Sequence, residues 1–185
     1  KATPNPYILQ ILKDYRCGTD CSSATELMMS DAVGFSGHDI MFSSNDTPIQ
    51  EFKLANDLGA IINLDDITHI DILRQHGGIP ETICCRYNPG GDFKIGNEIM
   101  GNPGDAKYGF TYAQLQEGLK RLKELGAKRF GLHAFLSSNN TDDSYYPALA
   151  KILFTCGRDL AAETGLELAF INLSGGIGIP YRPDQ

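Results

Sequence analysis

A glycine-rich turn near the carboxyl end of the chain is the first candidate for chemistry. Ser174, Gly175 and Gly176 follow an apolar segment, 168–173, that has the composition of a β-strand. Glycines at a strand end let backbone N–H groups approach a phosphate closely, since no Cβ stands between them and the ligand. The turn therefore predicts an anion site, although a tight turn without a ligand would have the same composition.

A polar group follows another apolar run, at residues 129–135. His133 lies near the end of that run, and Ser137 and Ser138 follow one residue after it. Side chains alternate along a strand, so His133 and Phe135 are expected to share one face. The two serine hydroxyls could donate to an anion there, and a structural histidine satisfied within the core is the alternative.

Two charged residues interrupt short apolar runs. Asp20 lies in segment 18–22, and Arg86 lies in segment 82–87. A buried charge is costly unless it is paired, so the two are expected to meet each other or a charged ligand. A purely structural ion pair is the alternative. Three further histidines fit solvated surface positions: His38, His69 and His76.

The elements that must position these residues alternate along the chain. Short β-rich runs are separated by longer helical patterns, which is typical of repeated βα units and a parallel sheet. The predicted strands are 18–22, 39–43, 60–64, 82–87, 129–135 and 167–173. The predicted helices are 7–14, 23–33, 48–58, 66–75, 111–125 and 143–164.

The spacing of the strands favours an α/β fold of the (β/α)8 TIM-barrel type. The first four predicted strands begin at residues 18, 39, 60 and 82, a spacing that suits the tight units of such a barrel. A complete barrel needs eight strands and typically ~250 residues. Six strands in 185 residues therefore predict an incomplete barrel, with two units missing, and no domain boundary inside residues 1–185.

Composition excludes several classes of function. A net charge of −7 with a pI near 5.0 argues against nucleic-acid binding, which calls for a basic surface. No apolar run is long enough to cross a bilayer and no secretory leader is evident, so a cytoplasmic protein without a membrane partner is expected. The five cysteines lack zinc-site spacing and are expected to be reduced, mostly buried thiols, and no metal site is predicted.

Taken together, these segments resemble the PLP-dependent decarboxylases of the alanine racemase-like barrel class, most closely the diaminopimelate decarboxylases. That family has a Lys-Ala/Cys-Asn opening followed by Gly-x-Asp-x-x-Ser-x-x-Glu, and this chain has Lys1 and then a matching run at 18–26. Further segments follow the family's order over essentially the whole chain: 40–45, 86–89, 107–109, 131–138 and 171–181.

The resemblance implies roles for particular residues. Lys1 would be the lysine that forms the Schiff base with pyridoxal 5'-phosphate, at the end of the first barrel strand. Asp20 and Arg86 would be the polar pair beside that lysine and the cofactor ring. The remaining positions implied to bind the cofactor or its phosphate are His133, Phe135, Ser138, Ser174, Gly175 and Gly176.

Two positions depart from the family pattern. Phe135 stands where the family usually has a histidine that stacks on the pyridine face, and an apolar ring can still stack there. Ser174 replaces the first of three glycines, so it must accept that glycine's backbone angles. The family's Glu-Pro-Gly-Arg segment and its carboxyl-terminal β domain are not in these 185 residues. A free α-amine on Lys1 would be a rival nucleophile to its side chain, so we expect this 185-residue chain alone to be inactive.

The function that the resemblance implies is decarboxylation of an amino acid as a small-molecule substrate, most closely meso-diaminopimelate to L-lysine and carbon dioxide, by a homodimer of the full-length protein. Other decarboxylases of the class remain alternatives: carboxynorspermidine, arginine and ornithine decarboxylases. A non-catalytic regulatory relative is a further alternative, which Phe135 and Ser174 favour and the retention of Lys1 opposes. A third alternative is an unrelated metal-dependent barrel, but the sequence offers no set of metal ligands for it, since the four histidines are scattered.

Overall fold

Six strands alternate with six α-helices in the computed structural model, which describes residues 5–92 and 108–182. The strands are β1 Thr19–Cys21, β2 Ile40–Ser43, β3 Ile61–Leu64, β4 Thr82–Arg86, β5 Arg129–His133 and β6 Glu167–Asn172. The helices are α1 Pro6–Asp14, α2 Ala24–Val33, α3 Ile49–Asp57, α4 His69–His76, α5 Tyr112–Glu124 and α6 Tyr145–Thr164. Two short 3₁₀ turns, Gly37–Asp39 and Gly90–Asp92, complete the described elements.

All strands are parallel and lie in the sheet order β1-β2-β3-β4-β5-β6. Consecutive parallel neighbours joined by helices are the architecture of a (β/α) barrel, which confirms the predicted fold class. Within the part of the chain that the structure describes, the sheet is not closed, because β1 and β6 each pair on one side only. The arc therefore leaves two open edges.

The outward faces of the strands form the hydrophobic core against the helices. Ile62, Leu64 and Ile83 are fully buried there, as are Phe130 and Leu132. The alternate residues of each strand point to the inside of the arc, and these inward faces are more polar toward the carboxyl ends of the strands. This division follows from the two-residue period of a strand, and it places the sequence's charged candidates inside the arc.

The predicted elements are all present, with boundaries shifted by local hydrogen bonds. Helix α4 begins at His69 because the Asp66 carboxylate accepts from the backbone N–H and the hydroxyl of Thr68, which holds a turn before the helix. Asp142 does the same with Ser144 before α6. In α5, Thr111 and Gln114 form the predicted start as a reciprocal capping box.

One predicted surface position is wrong. His38 and His76 are exposed, but His69 is half-buried and packs edge-on against the Phe52 ring, with 5.4 Å between ring centroids. Burial lowers the pKa of His69. Of the thiols, Cys17 is exposed and the other four are buried. Among residues 5–92 and 108–182, no helix combines the length and apolar composition needed to cross a bilayer.

Candidate functional site

A cavity of about 1240 Å³ lies inside the arc of strands. Seven of the sequence-predicted site residues line it: Asp20, Arg86, His133, Phe135, Ser174, Gly175 and Gly176. Ser138 is half-buried in the loop after β5 and is not one of the residues that line the cavity. Lys1 lies outside the described residues. The structure thus brings together residues that are up to 156 positions apart in the sequence, from Asp20 to Gly176.

The register of the parallel strands explains why these residues meet. Arg86 on β4 pairs with His133 on β5, and His133 pairs with Asn172 on β6. Asp65 follows directly after Leu64, which pairs with Cys85 one position before Arg86. The four polar side chains therefore stand at one level, at the carboxyl ends of their strands, which is the face where barrel enzymes place their chemistry.

Arg86 is the most extensively held charged group at this level. Its Nη1 donates to Asp65 Oδ1 at 3.0 Å and to Asn45 Oδ1 at 3.2 Å, and its Nη2 donates to the Phe135 carbonyl at 3.2 Å. Its Cζ lies 5.3 Å from the Tyr108 ring centroid, within range of a cation–π interaction. The ion-pair partner of Arg86 is thus Asp65, a residue that the sequence analysis did not single out.

Asp20 occupies the neighbouring edge of the cavity. It is half-buried on β1, and its Oδ1 accepts a hydrogen bond from the Ser43 hydroxyl on β2 at 2.6 Å. Nearby, the Glu26 carboxylate accepts from both the backbone N–H and the hydroxyl of Ser22. Burial opposes ionisation of Glu26, but the hydrogen bonds from Ser22 are among the interactions that give a net lowering of the pKa of Glu26. This edge of the cavity is acidic.

The glycine turn has the geometry of an anion site. The Asn172 carboxamide accepts from the Ser174 N–H at 2.7 Å and bends the chain, and Ser174 takes a φ of +63°. Gly176 has a φ of +99° and packs directly against the Ser137 carbonyl, with no room for a Cβ. Within residues 5–92 and 108–182, no hydrogen bond uses the N–H of Gly175 or Gly176. Two backbone donors therefore remain available beside the cavity.

The turn is braced by the loop that follows β5. Asn140 N–H donates to the Gly176 carbonyl at 2.8 Å, and Gly178 N–H donates to the Asn140 carbonyl at 2.8 Å. The Tyr146 hydroxyl on α6 donates to the Gly175 carbonyl at 3.0 Å. These contacts occupy the carbonyls of the two glycines, so their N–H groups are the side of the turn left for a ligand.

The rest of the cavity suits a flat aromatic ring. His133 is 4% exposed, and the half-buried Phe135 lines the cavity from a position two residues beyond it, on the same face. An apolar ring, a buried guanidinium and a turn with two open N–H groups match the pyridine ring and the phosphate of pyridoxal phosphate. The donor set therefore fits this cofactor, and the same residue ranges contain no cluster of His, Cys, Asp or Glu able to hold a metal.

The fold and this site define a pyridoxal-binding domain of the (β/α)-barrel type. Residues 1–185 match the family model described as "Pyridoxal-dependent decarboxylase, pyridoxal binding domain", and the chain belongs to that family.

Individual relatives are similar over the whole chain. Protein TabA of Pseudomonas amygdali pv. tabaci is 35% identical over 185 residues, which is 100% of this chain and 43% of that protein. The diaminopimelate decarboxylase of Thermoplasma acidophilum is 31% identical over 98% of this chain and 44% of its own length. The crystal structure of Helicobacter pylori diaminopimelate decarboxylase complexed with L-lysine superposes with a TM-score of 0.84, at 24% identity, over 100% of this chain and 48% of that one. The chain thus spans less than half the length of the curated relatives it matches.

Sequence reasoning gave no individual role to four residues of the site, of which all but Asp65 lie in segments that follow the family's order: Asn45, Asp65, Tyr108 and Asn172. Asp65 carried a usable signal, because a carboxylate directly after an apolar strand shares its position with the other candidates. Tyr108 lies in the family-like segment 107–109, but only the folded chain shows that its ring lies over the guanidinium. The missed residues hold the predicted ones in place.

Proposed function

We propose that the protein carrying this domain is a pyridoxal-phosphate-dependent amino-acid decarboxylase that converts meso-diaminopimelate to L-lysine and carbon dioxide. The observation that carries the proposal is one cavity containing a turn with two open backbone donors, an apolar ring and a buried guanidinium. Family membership supports the reaction class, and the 31% identical diaminopimelate decarboxylase supports the substrate.

The proposed roles follow from the positions of the side chains. The N–H groups of Gly175 and Gly176 bind the cofactor phosphate, with Ser174 and Ser138 beside them. Phe135 would stack on the cofactor ring, and His133 lines the same cavity. We propose Lys1 as the residue that binds the cofactor aldehyde covalently, as in the family resemblance.

The two charged positions supply the electrostatics. Arg86 would supply a positive charge beside the bound cofactor, and Asp20, whose carboxylate accepts from the Ser43 hydroxyl, would act as an acceptor for a proton. When bound, pyridoxal phosphate supplies an electron sink for the electron pair left behind as carbon dioxide departs. Closure of the open arc by the remaining barrel units would exclude water from this region and strengthen each of these interactions.

The experiment is a substrate panel with the complete protein. Purified protein is loaded with pyridoxal phosphate and incubated separately with meso-diaminopimelate, L-ornithine, L-arginine and carboxynorspermidine, with carbon dioxide and amine products quantified. Equal amounts of carbon dioxide and L-lysine from meso-diaminopimelate are expected. Release from another member of the panel would contradict the substrate and keep the reaction class. Failure to bind the cofactor at all would contradict both.

A second candidate is decarboxylation of a different amino acid in the same cavity. It is favoured by the 35% identity to Protein TabA, which exceeds the identity to the diaminopimelate decarboxylase of Thermoplasma acidophilum. We also propose that the full-length protein is a cytoplasmic homodimer, as the family resemblance implies. Light scattering of the cofactor-loaded protein tests the dimer, and a measured mass equal to that of one chain would contradict it.

A further inference from the structure

The ion pair between Asp65 and Arg86 is almost fully enclosed at the cavity wall. The side chains are 8% exposed for Arg86 and 5% for Asp65. By contrast, the Asp71–Arg121 pair on the outer helices is 50% and 35% exposed. An enclosed pair contributes little net stability compared with apolar residues of the same volume. Its retention therefore calls for a role in the site.

Arg86 connects the ends of four successive strands. It lies on β4 and bonds to Asn45 after β2, to Asp65 after β3 and to Phe135 after β5. The backbone reinforces the same junction, since Gly109 N–H donates to the Asp65 carbonyl at 3.0 Å and Phe110 N–H donates to the Arg86 carbonyl at 2.7 Å. The carboxyl ends of the neighbouring strands are thus joined through the Arg86 guanidinium.

Because the guanidinium is planar, the position of Asp65 affects the hydrogen bond that Arg86 donates to the Phe135 carbonyl. The two Nη groups have a fixed mutual geometry, so the partner that holds Nη1 also determines where Nη2 points. Asp65 and Asn45 share Nη1, and Nη2 meets the Phe135 carbonyl. Phe135 lies beyond the last paired residue of β5, His133, so the sheet ladder does not hold its backbone directly.

We propose that Asp65 is a positioning residue. Through the Arg86 guanidinium it holds the Phe135 backbone, and it thereby sets the orientation of the Phe135 ring relative to the cofactor. The inference rests on the proposed function, because it takes this cavity as the pyridoxal phosphate site. Phe135 stands where the family resemblance has a stacking histidine. In this chain its support comes from Asp65, which lies two strands away.

The test compares four forms of the complete protein: wild type, Asp65→Asn, Arg86→Gln and the double variant. Each is titrated with pyridoxal phosphate, and the Kd and the induced circular dichroism of the bound cofactor are recorded. Asp65→Asn is expected to raise the Kd about tenfold and to weaken the circular dichroism band. In the Arg86→Gln background, Asp65→Asn is expected to change neither quantity, because the connection is already broken.

The matched control is Asp71→Asn, which removes a carboxylate from an arginine pair on the outer helices α4 and α5. It is expected to leave the Kd and the band as in wild type. If Asp65→Asn does not fold, Asp65→Glu takes its place, since it keeps the charge and displaces the carboxylate by one methylene group; a wild-type Kd and band in that variant would overturn the inference.

A wild-type band in Asp65→Asn, or a further loss when Asp65→Asn is added to Arg86→Gln, would overturn this inference and leave the proposed function intact. No saturable binding by the wild-type protein would overturn the proposed function, and this inference with it.

Discussion

The Phe170 ring lies in the space that a side chain at Gly131 would occupy. A Cβ built on Gly131 would be 2.6 Å from Phe170 Cε1, well inside van der Waals contact. The two residues face each other across β5 and β6, next to a register shift between Phe130 and Gly131. Phe170 also lines the cavity. The bare backbone of Gly131 therefore makes room for the ring that forms part of the cavity wall.

Gly131→Ala is expected to lower the free energy of unfolding by about 2 kcal/mol, because overpacking forces the ring or the strands to move. Urea denaturation of the variant and wild type measures the difference. In a Phe170→Ala background the same substitution should cost less than about 0.5 kcal/mol, since the clash is gone. An equal cost in both backgrounds would contradict the contact.

The glycine turn offers a matched pair of substitutions. Gly176 has a φ of +99° and packs against the Ser137 carbonyl, whereas nothing lies within 4 Å of a Cβ at Gly175. Gly176→Ala is expected to cost about 2 kcal/mol of stability from backbone strain and the clash. It should also weaken binding of pyridoxal phosphate, because the turn must move.

Gly175→Ala should stay within about 0.5 kcal/mol of wild type in the same denaturation measurement. Titration with pyridoxal phosphate, followed by fluorescence quenching, measures the weaker cofactor binding expected for Gly176→Ala. Equal losses of stability at the two glycines would show that the turn is not built as described.

The fold was predictable because its signals are local and repeated. Apolar runs such as 60–64 and glycine or capped helix ends such as Thr111 mark each unit independently, so errors do not accumulate. Boundaries were less predictable, since they depend on single hydrogen bonds, such as the one from Thr68 to Asp66 that delays α4. Strand alternation correctly placed His133 and Phe135 on one face, although β5 ends at His133.

The site was predictable only where a residue type is unusual for its surroundings. Arg86 in an apolar strand and glycines after a strand are visible as anomalies in the sequence. The partner of Arg86 was not visible, because Asp20, Asp65 and Asp66 are chemically alike and only the strand register selects Asp65. His69 was misassigned because its burial comes from Phe52, which is 17 positions away and contributed by another helix.

Ser174 provides a test of backbone strain at the turn. Its φ of +63° lies in the left-handed region, which costs an L-residue other than glycine about 1 kcal/mol. Ser174→Gly is therefore expected to raise the free energy of unfolding by about 0.5 kcal/mol, after the greater flexibility of glycine in the unfolded chain is subtracted. The measurement is chemical denaturation without cofactor.

Ser36 is the control for that substitution, because it is exposed and has an extended backbone with a φ of −157°. Ser36→Gly should lower stability slightly, since glycine there gives no relief of strain. A rise at both serines, or at neither, would argue against strain at residue 174.

The buried thiols predict a loss of stability at alkaline pH. Burial raises the pKa of Cys85 to about 12, and burial together with nearby acidic groups raises that of Cys156 to about 12. In the unfolded chain a thiol loses its proton near pH ~8.5, so between that pH and about 12 the native state binds more protons than the unfolded state. Stability must then fall as pH rises through this window, and it is fully retained below it.

The expected loss is about 2 kcal/mol for Cys85, and about the same for Cys156, between about pH 7 and about pH 10, measured by urea denaturation at a series of pH values. Cys85→Ala lowers stability at neutral pH by leaving a small cavity, but it should make the pH dependence shallower, because one linked proton is removed. Cys17→Ala is the matched control, since Cys17 is exposed and its substitution should leave the slope unchanged. An unchanged slope in Cys85→Ala would contradict the assignment of the alkaline loss to this thiol, whatever the absolute stability of the variant.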